Sequence, residues 1–165
     1  MNLHNKPRLV IATLSLSAAA FVGILTREGY SDQAMIPVPG DVPTVGFGTT
    51  HGVTLGDSTT PVKAVQRALA DASQFEGAIK QCVKVPLLQA EYDAYTDIAY
   101  NIGPTAFCKS TMVRRLNVHD YSGACEAILL FKMFKGFDCS TPGNTRCAGL
   151  WKDRLRVHGQ CMRAQ

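Results

Sequence analysis

The sequence predicts an α+β fold, a small β lobe followed by a set of helices, on three observations. A stretch rich in Gly, Pro, Thr and Asp runs from Pro37 to Thr60, with a turn former every few residues. From Thr60 onward, apolar residues recur at spacings of three and four. At 165 residues, 46% of them hydrophobic and 18% charged, the chain is long enough for one compact domain with a core and too short for two. That composition excludes a disordered or collagen-like chain, and no internal repeat or low-complexity linker interrupts it.

The elements follow in order. Residues 1–8 end in two cations, Lys6 and Arg8, and residues 9–25 are an uncharged apolar run. As a helix this run of 17 residues reaches ~25 Å, short of the ~30 Å hydrocarbon layer. It reads as an export segment, and two fates are open: an uncleaved anchor that later slips out of the membrane, or a signal peptide cleaved at Ala18-Ala19-Ala20. Residues 1–25 are therefore set apart from a domain over 26–165. Pro43 to Gly48 forms a hairpin arm in which Val45 and Phe47 alternate with small residues. Thr60 and Pro61 begin a helix as N-cap and first residue, with Val62, Val65, Leu69, Ala72, Phe75 and Ile79 at helical spacing, ending near Cys82. A second helix covers about Gln89 to Asn101, with Tyr92, Tyr95, Ile98 and Ala99 inward, and Gly103-Pro104 closes it. Ser110 caps a short helix to Asn117, Asp120 opens another bearing Cys125 and Ile128, and a polar loop spans Lys135 to Arg146. Leu150, Arg154, Val157 and Cys161 share one face of a final helix, and Trp151 is expected in the core.

Charge and cysteine usage narrow the function. Seventeen Lys and Arg against thirteen Asp and Glu give +4, of which Lys6 and Arg8 supply two charges. This is no nucleic-acid signature, though it suits an anionic polymer or surface. Six cysteines, with no C-x-x-C pair, favour disulfides over metal in a chain that leaves the cytosol. His4, His51, His119 and His158 lack ligand spacing, so no metal is expected on them. Six cysteines allow fifteen pairings. Cys139 and Cys147 bracket a short loop and are the first choice, after which Cys108–Cys125 and Cys82–Cys161 follow.

Glu28 ends the apolar stretch and is followed at once by Gly29. A carboxyl group there faces the negative end of a helix, and burial would add a desolvation cost; both favour the protonated form a general acid needs. Sixteen residues later comes Thr44-Val45-Gly46-Phe47-Gly48. These pieces, with Ala99-Tyr100-Asn101-Ile102-Gly103, Ser110-Thr111 through Leu116-Asn117, and Gly149-Leu150, resemble the T4-type phage lysozymes, the endolysins with an E-x8-D-x5-T signature. The likeness runs in order from Leu25 to Cys161.

The resemblance implies a lysozyme-like fold and hydrolysis of the β-1,4 bond between N-acetylmuramic acid and N-acetylglucosamine in peptidoglycan, by a monomer without cofactor. By that analogy Glu28 protonates the leaving oxygen and Thr44 helps hold the attacking water. Gly46 and Gly48 let substrate approach the backbone, Asn101 meets a sugar N-acetyl group, and Arg154 partners Glu28. The chain departs from the pattern at the second acid. Nine residues after Glu28 stands Pro37, and six before Thr44 stands Val38. The interval holds Asp32 and Asp41, and Asp41, three residues before Thr44, is the expected substitute. Without it, Glu28 alone could run a lytic-transglycosylase-like cleavage, and a non-catalytic wall-binding protein of the same fold is a further alternative. A cysteine peptidase or amidase is disfavoured by the even, disulfide-suited cysteine count. Cleavage after Ala20 would leave only seven residues ahead of Glu28, a short helix to hold a catalytic group, which favours export to the host periplasm with residues 9–25 uncleaved and first tethered in the inner membrane.

Overall fold

A computed structural model describes residues 7–37 and 40–165. His4, Lys6 and Val38, singled out above, lie outside the described residues. The chain divides into two compact units: Leu16–Glu76, and a helical unit made of Met1–Ser15 with Gly77–Gln165. The boundary expected at residue 25 falls within the first helix.

In the smaller unit, helix α1 (Ala18–Glu28) begins where Ser17 Oγ accepts the amide of Ala20 at 3.1 Å, satisfying one orphan donor of the first turn. Ile24 is its buried residue, and Gly29 caps its C-terminus at φ +73°. Strand β1 (Ser31–Met35) pairs antiparallel with β2 (Thr44–Gly46) in the register Ser31 to Gly46 and Met35 to Thr44. Four residue steps on β1 thus face two on β2, so β1 bulges. The other edge of β1 is tied to residues 57–59, through Ala34 N to Asp57 O at 2.9 Å and Thr59 N to Asp32 O at 2.9 Å.

Helix α2 (Pro61–Cys82) starts and stops where the sequence places it. Its inward face differs from the expected stripe: Val62 is 69% and Leu69 53% exposed, while Ala64, Ala68 and Ala72 are buried. The reason is the approach of β2. A β-carbon on Gly46 would lie 2.9 Å from the Ala64 Cβ, so only small residues fit that face of the helix.

The helical unit opens with residues 7–15, and here the structure corrects the expectation of one N-terminal apolar helix. Leu9 pairs with Leu87 as an isolated bridge, Ile11–Thr13 form one 3-10 turn, and Leu14 and Ser17 are extended. The polar side chains that dilute the run account for the breaks: Thr13 Oγ1 donates to the Val10 carbonyl at 2.8 Å, and Ser17 turns to capping α1. Ile11 and Leu14 join the helical core. Among the described residues, no helix is long and apolar enough to cross a membrane.

Helix α3 (Gln89–Ile102) is buried from Glu91 to Ala99, and its Tyr92, Tyr95 and Ile98 carry the core as the sequence indicates. Around it lie α4 (Pro104–Cys108), α5 (Thr111–Leu116), α6 (Tyr121–Glu126), a 3-10 turn over Ala127–Leu130, and α7 (Ala148–Met162). The expected caps are in place: Ser110 Oγ accepts Val113 N at 3.3 Å, and Asp120 Oδ1 accepts Gly123 N at 2.9 Å. Within the expected polar loop, Phe137–Asp138 (β4) pairs with Met133–Phe134 (β3) as a short hairpin. Trp151 is half-buried on α7.

All six cysteines are bridged. Cys139–Cys147 forms as expected, but the other two pairings are corrected to Cys82–Cys108 and Cys125–Cys161, with Cα atoms 5.5 Å and 5.6 Å apart. Spacing alone hid this. The chain turn at Gly103 brings α4 back to the end of α2, while α6 and α7 pack on one another, so Cys125 faces Cys161.

Candidate active site

Glu28 is the last residue of α1, so its backbone position is set by the helix and its direction by the break at Gly29. Beyond β2 the chain closes a tight turn, with Val45 N to Thr49 O at 3.0 Å and the reverse bond at 3.2 Å, enclosing Gly46, Phe47 and Gly48. Gly48 has φ +79°, and a β-carbon there would lie 2.7 Å from Glu28 Oε2 and 3.3 Å from its carboxyl carbon. The carboxyl group therefore rests against the backbone of this turn. Glu28 as a whole residue remains exposed. The Tyr30 and Phe47 rings, 5.3 Å apart, fasten the end of the helix to the same turn.

Thr44 begins β2, half-buried, and its Oγ1 donates to the Val42 carbonyl at 3.3 Å. Asp41 is exposed on the connection between the strands, and its Oδ1 accepts the Val42 amide at 2.9 Å. Asp32 lies within β1 itself, beyond the break at Gly29. Thr44, Gly46 and Gly48 thus stand on one short segment, with Asp41 just ahead of it. Gly46 serves packing against Ala64, and Gly48 accommodates Glu28, two reasons for glycine that the sequence does not separate.

In the helical unit, Asn101 lies in the last turn of α3, exposed, and Arg154 on α7 is 2% exposed. Arg154, named from the sequence as a partner for Glu28, donates Nε to the Phe131 carbonyl at 3.0 Å and Nη1 to Asp153 at 3.1 Å. Its Nη2 donates to Asn101 Oδ1. Since a guanidinium only donates, the Asn101 oxygen must face it, and the amide NH2 is left to donate elsewhere. Burial lowers the affinity of Arg154 for its proton, opposed by Asp153 and Asp97. Arg156 sits beside it, with Nη2 at 2.7 Å from both Asp97 and Asp153. Burial also works against its charge, but the bonds to the two aspartates outweigh this and raise its pKa. Sequence reading missed this network, whose local signal is Asp153, beside Arg154 and three residues before Arg156 on one helix, with Asp97 four residues before Asn101 on another. No group of three or more His, Cys, Asp or Glu able to hold a metal occurs among the described residues.

A helix-end carboxyl group seated on a glycine turn, with a threonine-bearing hairpin beside it, is the arrangement that the resemblance to lysozyme-like glycosidases implies. The phage lysozyme family model matches residues 26–156. The endolysin of Acyrthosiphon pisum secondary endosymbiont phage 1 is 38% identical over 99 residues, covering 60% of this chain and 68% of that protein. The SAR-endolysin of Pseudomonas phage phiKMV is 36% identical over 114 residues, covering 69% and 70%. The solved endolysin from Escherichia coli O157:H7 phage FAHEc1 superposes with a TM-score of 0.76 at 29% identity, covering 93% of this chain and 96% of that one. The chain belongs to the phage lysozyme family, and it is a peptidoglycan-hydrolysing enzyme of the endolysin kind.

Proposed function

We propose that the protein cleaves the β-1,4 bond between N-acetylmuramic acid and N-acetylglucosamine, with Glu28 as the general acid. The carrying observation is the seat of the Glu28 carboxyl group on Gly48. A helix end and a closed turn hold it from two sides, which is the preorganisation that proton delivery to a glycosidic oxygen needs. As the bond to the leaving sugar lengthens, its oxygen takes the Glu28 proton while positive charge grows on the ring. Asp41, as carboxylate, accepts a proton from the incoming water, and Thr44 holds that water by its hydroxyl. An inverting reaction of this kind places its two carboxyl groups ~6.5–9.5 Å apart. Asn101 binds the substrate acetamido carbonyl through its amide NH2.

The absence of an acid at Pro37 and Val38 supports a second reading, in which Glu28 acts alone and the sugar 6-hydroxyl closes an anhydro ring. Clearing of permeabilised Gram-negative cells by wild type and by Glu28→Gln tests the assignment of Glu28; equal lysis by both refutes it. Mass analysis of the released muropeptides then separates reducing ends, expected for hydrolysis, from anhydro ends.

The segment 9–25 is retained in this reading: it exports the chain, tethers it to the inner membrane, and afterwards joins the folded enzyme. Ile11 and Leu14 in the core and the start of α1 at Ala18 support retention, since cleavage at Ala18–Ala20 would discard the two core residues, the Ser17 cap and the first turn of α1. A soluble periplasmic product beginning at Phe21 would refute it.

A further inference from the structure

Glu91 takes no part in the chemistry above, yet its side chain is only 1% exposed. A carboxylate so buried must be answered by nearby groups. Its Oε2 accepts the Leu88 amide at 2.7 Å, closing the start of α3, and Arg8 Nε at 3.2 Å. Its Oε1 accepts Arg8 Nη2 and Gln165 Nε2, both at 2.7 Å. Gln165 Oε1 in turn accepts Arg8 Nη2 at 3.0 Å. The Arg8 guanidinium carbon lies 3.7 Å from the centroid of the Tyr121 ring, whose hydroxyl donates to the Pro86 carbonyl at 3.1 Å. The edge of the guanidinium thus meets a two-oxygen fork and an amide oxygen, and its face meets an aromatic ring. These are the features that distinguish a guanidinium from an ammonium group.

The residues after Arg8 are bound to the same unit. Leu9 and Leu87 exchange backbone bonds of 2.7 and 2.9 Å, Ile11 and Leu14 are buried, and the Ser15 carbonyl accepts Gln89 Nε2 at 2.8 Å. Yet Arg8 is also the cation that precedes the apolar run of the export segment.

We propose that Glu91, Gln165 and Tyr121 form a guanidinium-binding socket whose occupant is Arg8 of the same chain, and that this socket latches residues 8–15 onto the enzyme once they leave the bilayer. The latch role rests on the tethering reading above; the socket itself does not. Arg8 then serves twice. Export requires only its positive charge, which Lys supplies equally. The socket requires the planar fork, which Lys lacks. With Arg8 elsewhere, Glu91 is a buried carboxylate without its counter-charge, so losing one partner is worse than losing both.

The purified full-length protein tests the socket. Arg8→Ala is expected to lower Tm and to raise the rate of proteolysis within residues 8–17 by about tenfold or more. Adding Glu91→Leu to it is expected to restore much of the Tm. Methylguanidinium at millimolar concentration is expected to raise the Tm of Arg8→Ala, and methylammonium at the same concentration is not. A double variant no more stable than Arg8→Ala, or equal effects of the two cations, overturns the socket. In expressing cells, Arg8→Lys is expected to be exported like wild type but to leave a larger share in the membrane fraction, as is Glu91→Gln, which leaves the cationic flank intact. Wild-type partition for both variants overturns the latch. A wild-type protein never found in the membrane fraction overturns the tethering reading and the latch with it, while the purified-protein measurements still decide the socket.

Discussion

Glu28 and Gly48 are fitted to one another: the carboxyl group of the first fills the space that a side chain on the second would need. Gly48→Ala must therefore displace the acid, and it also places a β-carbon on a residue at φ +79°, a strain of about 1–2 kcal/mol. The expected result is a fall in kcat of about a hundredfold on purified peptidoglycan, with KM little changed, because the displaced group is the proposed proton donor. Circular dichroism spectra matching wild type would show that the loss is local.

Asn101 and Arg154 give a second expectation. With its oxygen held by the arginine, the Asn101 amide offers donors only. Asn101→Asp keeps the bond to Arg154 as an ion pair and removes those donors, so kcat/KM on N-acetylated glycan is expected to fall by about ten- to a hundredfold. On de-N-acetylated glycan the same substitution is expected to cost less. Rates on the two glycans, compared between wild type and variant, check this.

A third concerns pH. Lys132 Nζ lies 2.8 Å from Asp138 Oδ2, and the Ser140 hydroxyl and amide donate to Oδ1 at 2.6 and 2.9 Å. The bonds from Lys132 and then Ser140 hold the Asp138 carboxyl at about 2. The folded value lies below the unfolded one of about 3.9, so the stabilisation is present above that value and is lost as pH falls from about 4 to about 2. An NMR titration of the carboxyl carbon is expected to show the low midpoint in wild type and a clear upward shift in Lys132→Met.

Much of the fold was legible because caps and periodicity are local. Thr60-Pro61, Ser110 and Asp120 begin helices by bonding their own next turn, and nothing distant alters that. The inward face of α2 was not legible, because what selects Ala64 over Val62 is the approach of Gly46 from another strand. The same holds for the cysteines: Cys139 and Cys147 are eight residues apart and pair across one loop, whereas the other pairs depend on helix packing. In the site, Glu28 announced itself by the Glu-Gly step at the end of an apolar stretch, while the seat on Gly48 needed three dimensions. Arg8 was read for its charge alone, since its acceptor stands 83 residues away.

The bridges carry their own expectation. Cys125–Cys161 and Cys82–Cys108 span 36 and 26 residues, against 8 for Cys139–Cys147. Loop-closure entropy assigns about 3–4 kcal/mol to each of the longer two and about 2.5 kcal/mol to the short one. Paired Cys→Ala variants compared by urea unfolding are expected to follow that order.

Every one of those cross-links lies between Cys82 and Cys161, leaving the stretch with Glu28, Thr44 and Gly48 unstapled. A copy still in a reducing cytosol would hold its acid-bearing piece by weak forces like any other, but would lack the covalent braces of the helices that follow. On the proposed export route its toughness would arrive only with oxidation, after passage across the membrane, so that sturdiness and access to the wall would be acquired in the same place.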